Sequence, residues 1–193
     1  MSYRYTRVSG LDLAAESYNC TGYAVIDLTS MSLVRIECLY GDDQIVSNIA
    51  SDRIGLVSID SPITREPKYR LVDKEAVKRG FRVLPPSFKH MKKLALRGWK
   101  LYEKLTSEGI EVIETHPRSA IKSSGVSDYI TLAERLGVNL GDYRRRKLGK
   151  DLRDALISAL VAVCYTKVDC LLVISAEDGS IYLIKPLVLS SHL

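Results

Sequence analysis

The sequence predicts a single α/β domain: a mixed five-stranded sheet flanked by helices, with an additional C-terminal hairpin. Short apolar segments near the start are joined by links of hairpin length, and later strand-like segments alternate with helical ones. An antiparallel beginning followed by parallel strands calls for helices on both faces of the sheet. The chain has no internal repeat or composition break, so residues 1–193 are expected to form one domain.

The first third of the chain is expected to form an antiparallel meander, a short helix and a buried strand. Alternating or continuous apolar residues place the meander strands at 4–13, 22–28 and 33–40. Asp42 or Asp43 can cap the helix, because a carboxylate accepts hydrogen bonds from the free amides of a first turn. The apolar run that follows, at 54–63, predicts a strand that Pro62 ends.

The rest of the chain is expected to alternate between helices and strands. Charge and proline in residues 64–86 predict an elaborated loop, after which Ser87 begins a long amphipathic helix that Gly109 ends. The other predicted elements are a short helix at 73–79, a strand at 110–115 halted by Pro117, helices at 128–137 and 151–165, and a hairpin within 169–186. This order of strands and helices is that of the ribonuclease H-like topology.

Charge and cysteine content narrow the class of protein. A net charge of +5 favours a polyanionic partner. The four cysteines form no C-x-x-C pair, which predicts buried or half-buried free thiols rather than a zinc site or a disulfide scaffold. Without a signal peptide or an apolar stretch near the roughly 18 residues of a membrane span, the sequence predicts a cytoplasmic protein. The scarcity of asparagine and glutamine hints at a heat-adapted source.

Acids at the ends of apolar strands are the strongest chemical signal. Asp12 ends the first predicted strand, Asp60 the fourth and Glu114 the fifth. Carboxylates that converge at one sheet edge repel one another unless a cation neutralises them, and oxygen ligands of this kind suit Mg²⁺ or Mn²⁺. Taken singly, each acid is explained equally well by a structural role. Together they favour a metal site.

Two further acids, Asp151 and Asp154, share one face of the first turn of the buried helix. Acids there are also favoured by the helix dipole, so Asp151 is assigned mostly to capping and Asp154 to the metal. The predicted catalytic residues are Asp12, Asp60, Glu114 and Asp154, and the predicted metal ligands are these four with Asp151.

The chain resembles the predicted nucleases of domain-of-unknown-function family 429 (DUF429). The matching segments are 10–14, 21–26, 57–62, 112–117 and 151–159, and the resemblance spans residues 8 to about 186. The chain is also similar to Holliday-junction resolvases of the RuvC type, which share the fold and a terminal acid pair three residues apart. The resemblance implies a nuclease site at Asp12, Asp60, Glu114 and Asp154, and leaves the dimer of such resolvases as one candidate oligomeric state.

Basic residues near these acids are predicted to contact nucleic acid. Arg70, Asp73 and Arg79 match a charged segment of the DUF429 family, and a basic run precedes the last helix. The predicted nucleic-acid contacts are Arg70, Arg79, Arg144, Arg145, Arg146, Lys147 and Lys150. A solvated charged loop is the alternative for the run. His116 lies close to Glu114 and is either a proton-transfer group or a structural histidine.

These features together predict divalent-metal-dependent hydrolysis of phosphodiester bonds in DNA or RNA, with Mg²⁺ or Mn²⁺ as cofactor. One alternative is a non-catalytic basic domain of the same fold that binds nucleic acid or a protein. An actin-like kinase is less favoured, because the chain lacks the second lobe and the glycine-rich phosphate and adenosine loops that such kinases need.

Overall fold

A computed structural model describes residues 5–187. The strands of this part of the chain are β1 (Arg7–Asp12), β2 (Thr21–Asp27), β3 (Ser32–Leu39), β4 (Leu56–Asp60), β5 (Glu111–Thr115), β6 (Leu171–Ala176) and β7 (Gly179–Ile184). Its helices are α1 (Asp42–Ser51), α2 (Leu71–Lys78), α3 (Lys89–Ser107), α4 (Pro117–Ser124), α5 (Tyr129–Arg135) and α6 (Lys150–Lys167), with a short 3-10 helix at Gly141–Arg145. None of the helices in residues 5–187 is long and apolar enough to cross a membrane.

The strands form one mixed sheet in the order β3-β2-β1-β4-β5-β7-β6. Strands β1, β2 and β3 pair antiparallel, whereas β4 runs parallel to β1 and β5 runs parallel to β4, as the sequence predicts. The C-terminal hairpin does not stand apart from the sheet. Its strand β7 pairs with β5 where Thr115 faces Tyr182, so the predicted five strands become a sheet of seven in the described residues.

Helix α6 packs very closely against one face of the sheet. It is buried continuously from Ala155 to Cys164, because its residues are apolar on every side. Two strand glycines allow this approach: a β-carbon at Gly10 would lie 2.1 Å from the carbonyl oxygen of Ala155, and one at Gly22 would lie 2.1 Å from that of Asp151. Since Gly22 is paired with Asp12, the first turn of α6 lies over the end of β1.

The opposite face of the sheet is covered by α1 and α3. Alternate residues of the central strands point to this side, as the period of two in a strand requires. They pack against apolar side chains of both helices in a second core of buried residues, which includes Leu11, Tyr23, Val25, Ile45, Ile49, Val57, Ile59, Leu101 and Leu105. Helices cover both faces of the sheet, so the polar edge where β1 and β4 end is the part that is free to bind a ligand.

Helix α4 was not predicted, and three predicted N-caps are wrong. Gly41 occupies the N-cap position of α1, and Asp42 and Asp43 lie in its first turn. Pro117 was expected only to stop β5, but it is the first residue of α4, a position where proline's missing amide hydrogen costs nothing. Phe88, not Ser87, occupies the N-cap position of α3. Gly149 occupies the N-cap position of α6, so Asp151 lies within the first turn and does not cap the helix.

The prediction of free cysteines is also wrong. Cys20 is bonded to Cys38, and Cys164 to Cys170. The first pair joins the residue before β2 to the end of β3, where the antiparallel register already brings the two segments together. The second closes the short connection from α6 to β6. Both pairs become neighbours only through the sheet and its connections, which C-x-x-C spacing does not reveal.

We expect Gly10→Ala to lower the free energy of unfolding by about 3 kcal/mol or more, because the added methyl group collides with backbone atoms of α6 that cannot rotate away. Urea unfolding followed by circular dichroism measures this change. Gly149→Ala is the matched control, since a β-carbon there meets nothing within 4 Å, and it should cost about 1 kcal/mol or less. Equal losses in both variants would contradict the close approach of α6.

Candidate metal centre

Three carboxylates meet at the edge of the sheet where β1 and β4 end. Asp12 and Asp60 are the last residues of these neighbouring parallel strands, which are in register at Leu11 and Ile59. Asp154 reaches the same place from the first turns of α6, because the glycine contacts hold that helix above β1. One carboxylate oxygen from each of the three residues lies within 4.8 Å of the other two.

The electrostatics of this group favour a bound cation. Burial raises the pKa of Asp12 to about 7, assisted by the negative charges of Asp154 and Asp151 and opposed by Lys150. Burial raises the pKa of Asp60 well above its usual value, with further contributions from Asp12 and Asp154. Burial also raises the pKa of Asp154, against the lowering effect of Lys150. Hard oxygen donors that repel one another in this way are a chemical fit to Mg²⁺ or Mn²⁺.

A cleft opens beside the three carboxylates and contains two further charged groups of α6. Its lining is made by Asp12, Leu13, Ala14, Ala15, Asn19, Cys20, Lys150 and Asp151. Asp151 therefore faces the same space as Asp12, although it is not one of the three acids whose oxygens converge. The disulfide partner Cys20 fixes the loop that follows β1, so the cleft has a wall tied to the sheet.

Glu114 lies in a different environment from the one predicted for it. Its carboxylate oxygens accept hydrogen bonds from Arg70 at 2.7 and 2.6 Å, and the backbone amide of Ile63 donates to one of them at 2.7 Å. Glu114 is consequently absent from the group of three acids. Its charge is already paired with Arg70, so in this arrangement Glu114 lies outside the group of acids that could hold a metal ion.

Arg70 does not fit its predicted contact with nucleic acid either. Its side chain is only 2% exposed, and its guanidinium also donates to Asp73 at 2.7 and 3.1 Å. A buried guanidinium needs such partners, because an unpaired charge in the interior is very costly. The Arg70, Asp73 and Glu114 side chains thus form a closed buried network.

The basic run before α6 is exposed, as a nucleic-acid contact requires. Arg144 pairs with Glu134 at 2.6 Å, and the guanidinium of Arg146 lies over the ring of Tyr143. Arg145 and Lys147 have no ion-pair partner among residues 5–187. Outside the run, Arg79 is at the surface but pairs with Glu75 at 3.1 Å on its own helix.

His116 occupies the N-cap position of α4, and its Nδ1 lies 2.6 Å from the hydroxyl oxygen of Ser119. Burial, assisted by the charge of Arg118, lowers its pKa to about 4. A neutral ring with a local partner agrees with the structural alternative for this histidine. His192 lies outside the described residues.

Comparison with known proteins gives matches among solved structures only. No family model matches the chain, and no curated protein does. Thermus thermophilus RuvC in complex with a Holliday junction substrate superimposes with a TM-score of 0.54 at 13% identity, covering 83% of this chain and 94% of that one. A second Thermus thermophilus RuvC structure gives 0.50 at 14%, covering 84% and 96%.

The large terminase nuclease of thermophilic phage G20c with bound zinc gives a TM-score of 0.39 at 16% identity, covering 85% of this chain and 82% of that one. The RuvC similarities extend over most of both chains, and their low identity makes them informative about the fold alone. The chain therefore has a ribonuclease H-like fold, which confirms the fold predicted from the order of its elements.

We expect Asp12→Asn to raise the melting temperature by several degrees at pH 8 in the presence of a chelator. The folded state raises the pKa of Asp12 from 3.8 to about 7, so it binds more protons than the unfolded state between these values. The stability of the metal-free parent should therefore fall as pH rises from about 4 to about 7, and the variant should lack this part of the fall.

Calorimetry of both proteins between pH 4 and pH 8 measures the difference. Asp169→Asn is the control, because Asp169 is exposed just beyond the far end of α6 and should leave the profile unchanged. If Asp12→Asn lowers stability equally at every pH, the folded state does not raise the pKa of Asp12.

Proposed function

We propose that this protein is a divalent-metal-dependent nuclease that hydrolyses phosphodiester bonds of nucleic acid. The observation that carries the proposal is the convergence of Asp12, Asp60 and Asp154, whose carboxylate oxygens lie within 4.8 Å of one another at the open edge of the sheet. The fold that the chain shares with RuvC supports the same activity, whereas membership of the DUF429 family stays a prediction because no family model matches the chain.

Asp12, Asp60 and Asp154 would hold Mg²⁺ or Mn²⁺, and Asp151 offers a further carboxylate to the cleft that Asp12 also lines. When bound, such ions activate a water molecule and stabilise the leaving oxygen of a phosphodiester. The side chains of the protein fix where this happens: the strand ends position Asp12 and Asp60, and the packed helix positions Asp154. Glu114 is left out of this mechanism, because its oxygens are bonded to Arg70 and to the amide of Ile63.

A nucleic-acid partner, DNA or RNA, is supported by the basic run that precedes α6. Arg145 and Lys147 are exposed and are free for phosphate oxygens within the described chain. The run ends just before Gly149, which caps the helix that bears the acids, so phosphates bound there would pass close to the cleft. The structurally similar RuvC was solved with a Holliday junction substrate, which makes branched DNA a reasonable substrate to test.

A cytoplasmic location stays a prediction. Disulfides persist inside cells mainly in hyperthermophiles, whose intracellular proteins are often rich in them. The scarcity of amide side chains predicts a heat-adapted source. In such a source, the two bonded cysteine pairs agree with a cytoplasmic location. In a mesophilic source they would favour an oxidising compartment.

We expect Asp12→Asn and Asp154→Asn to abolish cleavage of nucleic acid in the presence of Mn²⁺, because each removes a carboxylate from the group of three. The assay compares branched, duplex and single-stranded substrates, and a filter-binding measurement on the same samples should find nucleic-acid binding largely retained. Asp169→Asn is the matched control and should cleave as the parent does.

Cleavage by both site variants at the parent rate would contradict the nuclease mechanism. A protein that only binds nucleic acid, with a structural acid group, would cleave nothing and would show no rise in melting temperature when Mn²⁺ is added. The thermal measurement therefore separates an inactive metal site from a site that holds no metal.

We expect the double variant Arg145→Ala, Lys147→Ala to bind nucleic acid with a weaker dependence on salt. If each residue contacts one phosphate of a duplex, the slope of log binding constant against log salt should shrink by about 1.8. Titrations between low and moderate salt measure the slope. Arg53→Ala, Lys100→Ala removes the same charge from exposed positions outside the run and should leave the slope unchanged; an equal effect there would point to net charge alone.

A further inference from the structure

Lys150 is a basic residue beside the candidate metal centre, where it pairs with one of the three acids. It is the first residue of α6, one turn before Asp154, and its Nζ atom lies 3.5 Å from a carboxylate oxygen of that residue. It also lines the cleft together with Asp12 and Asp151. Its side chain is 74% exposed, so the ammonium group is close to the acids without being enclosed by them.

The position of Lys150 matters because of the charges around the cleft. Asp12, Asp60 and Asp154 carry repelling charges, and the positive charge of Lys150 opposes the rise in pKa of all three. Arg153 adds a smaller effect on Asp154 alone. In the protein without metal, Lys150 is thus the cation that partly balances the whole group of acids.

This pairing is readily broken. At 3.5 Å the contact with Asp154 is an ion pair rather than a close hydrogen bond, and exposed pairs of this kind contribute at most about 1 kcal/mol. A divalent ion among the same carboxylates would take over their charge and repel the ammonium group. The flexible stem of lysine then allows the exposed ammonium group to move outward into solvent.

We propose that Lys150 exchanges partners during the reaction: its ammonium group pairs with the acids before metal binds, and metal binding releases it to contact a phosphate oxygen of the nucleic acid. The inference rests on the proposed function and couples the predicted contact of Lys150 with nucleic acid to metal binding. The exchange predicts two opposite effects of removing the Lys150 charge. Metal binding becomes tighter, because Lys150 competes with the metal, and substrate binding becomes weaker, because Lys150 contacts the substrate. A purely structural lysine would cause neither effect.

The test is Lys150→Met, which keeps the length of the stem and removes the charge. Its affinity for Mn²⁺, measured by the loss of the free-ion electron paramagnetic resonance signal, should be about threefold tighter than that of the parent. Its KM for nucleic acid should rise several-fold in the same buffer. Lys150→Arg keeps the charge and should bind Mn²⁺ as the parent does, and Lys100→Met is the control for an exposed lysine remote from the cleft.

The outcomes distinguish the exchange from the nuclease proposal. If the parent binds Mn²⁺ and Lys150→Met binds it equally or more weakly, the exchange is wrong while the metal site stands. An unchanged KM would also overturn it. If neither parent nor variant binds Mn²⁺, the metal site is wrong and the exchange falls with it. Circular dichroism spectra and melting curves of each variant show whether a loss reflects misfolding.

Discussion

The backbone contact between α6 and the first two strands is the constraint on which the rest of the structure depends. Gly10 and Gly22 leave no room for a side chain, and the carbonyl groups of α6 fill that space. The helix is therefore held close above β1, with its first turn over the end of that strand. This position brings Asp154 to the two acids at the strand ends.

The acids near this edge of the sheet have two different electrostatic environments. Glu114 has its own cation, Arg70, in a buried network that also includes Asp73. Burial is the largest cause of the raised pKa values of Asp12, Asp60 and Asp154, and the charge that opposes the rise in all three belongs to the exposed Lys150. A folded protein gains nothing in stability from such a group, because burial and mutual repulsion both oppose ionisation. An acid group left uncompensated is more readily explained by a bound cation than by a structural role.

Much of this arrangement could be predicted from the sequence, and what could not has physical reasons. Strand-end acids such as Asp12 and Asp60 are recognisable because period and strand order fix the edge at which they lie. The partner of Glu114 is not, since Arg70 is 44 residues away and only the folded chain brings them together. Cys20 and Cys38 were missed because the register of β2 and β3 brings them together, and Cys164 and Cys170 because no C-x-x-C spacing marks the turn that joins them. The helix that begins at Pro117 was missed because proline both ends strands and begins helices, and here it does both.

The central claim is that Asp12, Asp60 and Asp154 bind a divalent ion together. An anomalous difference map from crystals grown with Mn²⁺, recorded near the manganese absorption edge, tests it most directly. The account predicts a peak with one oxygen of each of the three carboxylates about 2.0–2.2 Å away, completed by water. A map with no peak there, or with Mn²⁺ bound at Glu114 after displacement of Arg70, would contradict it.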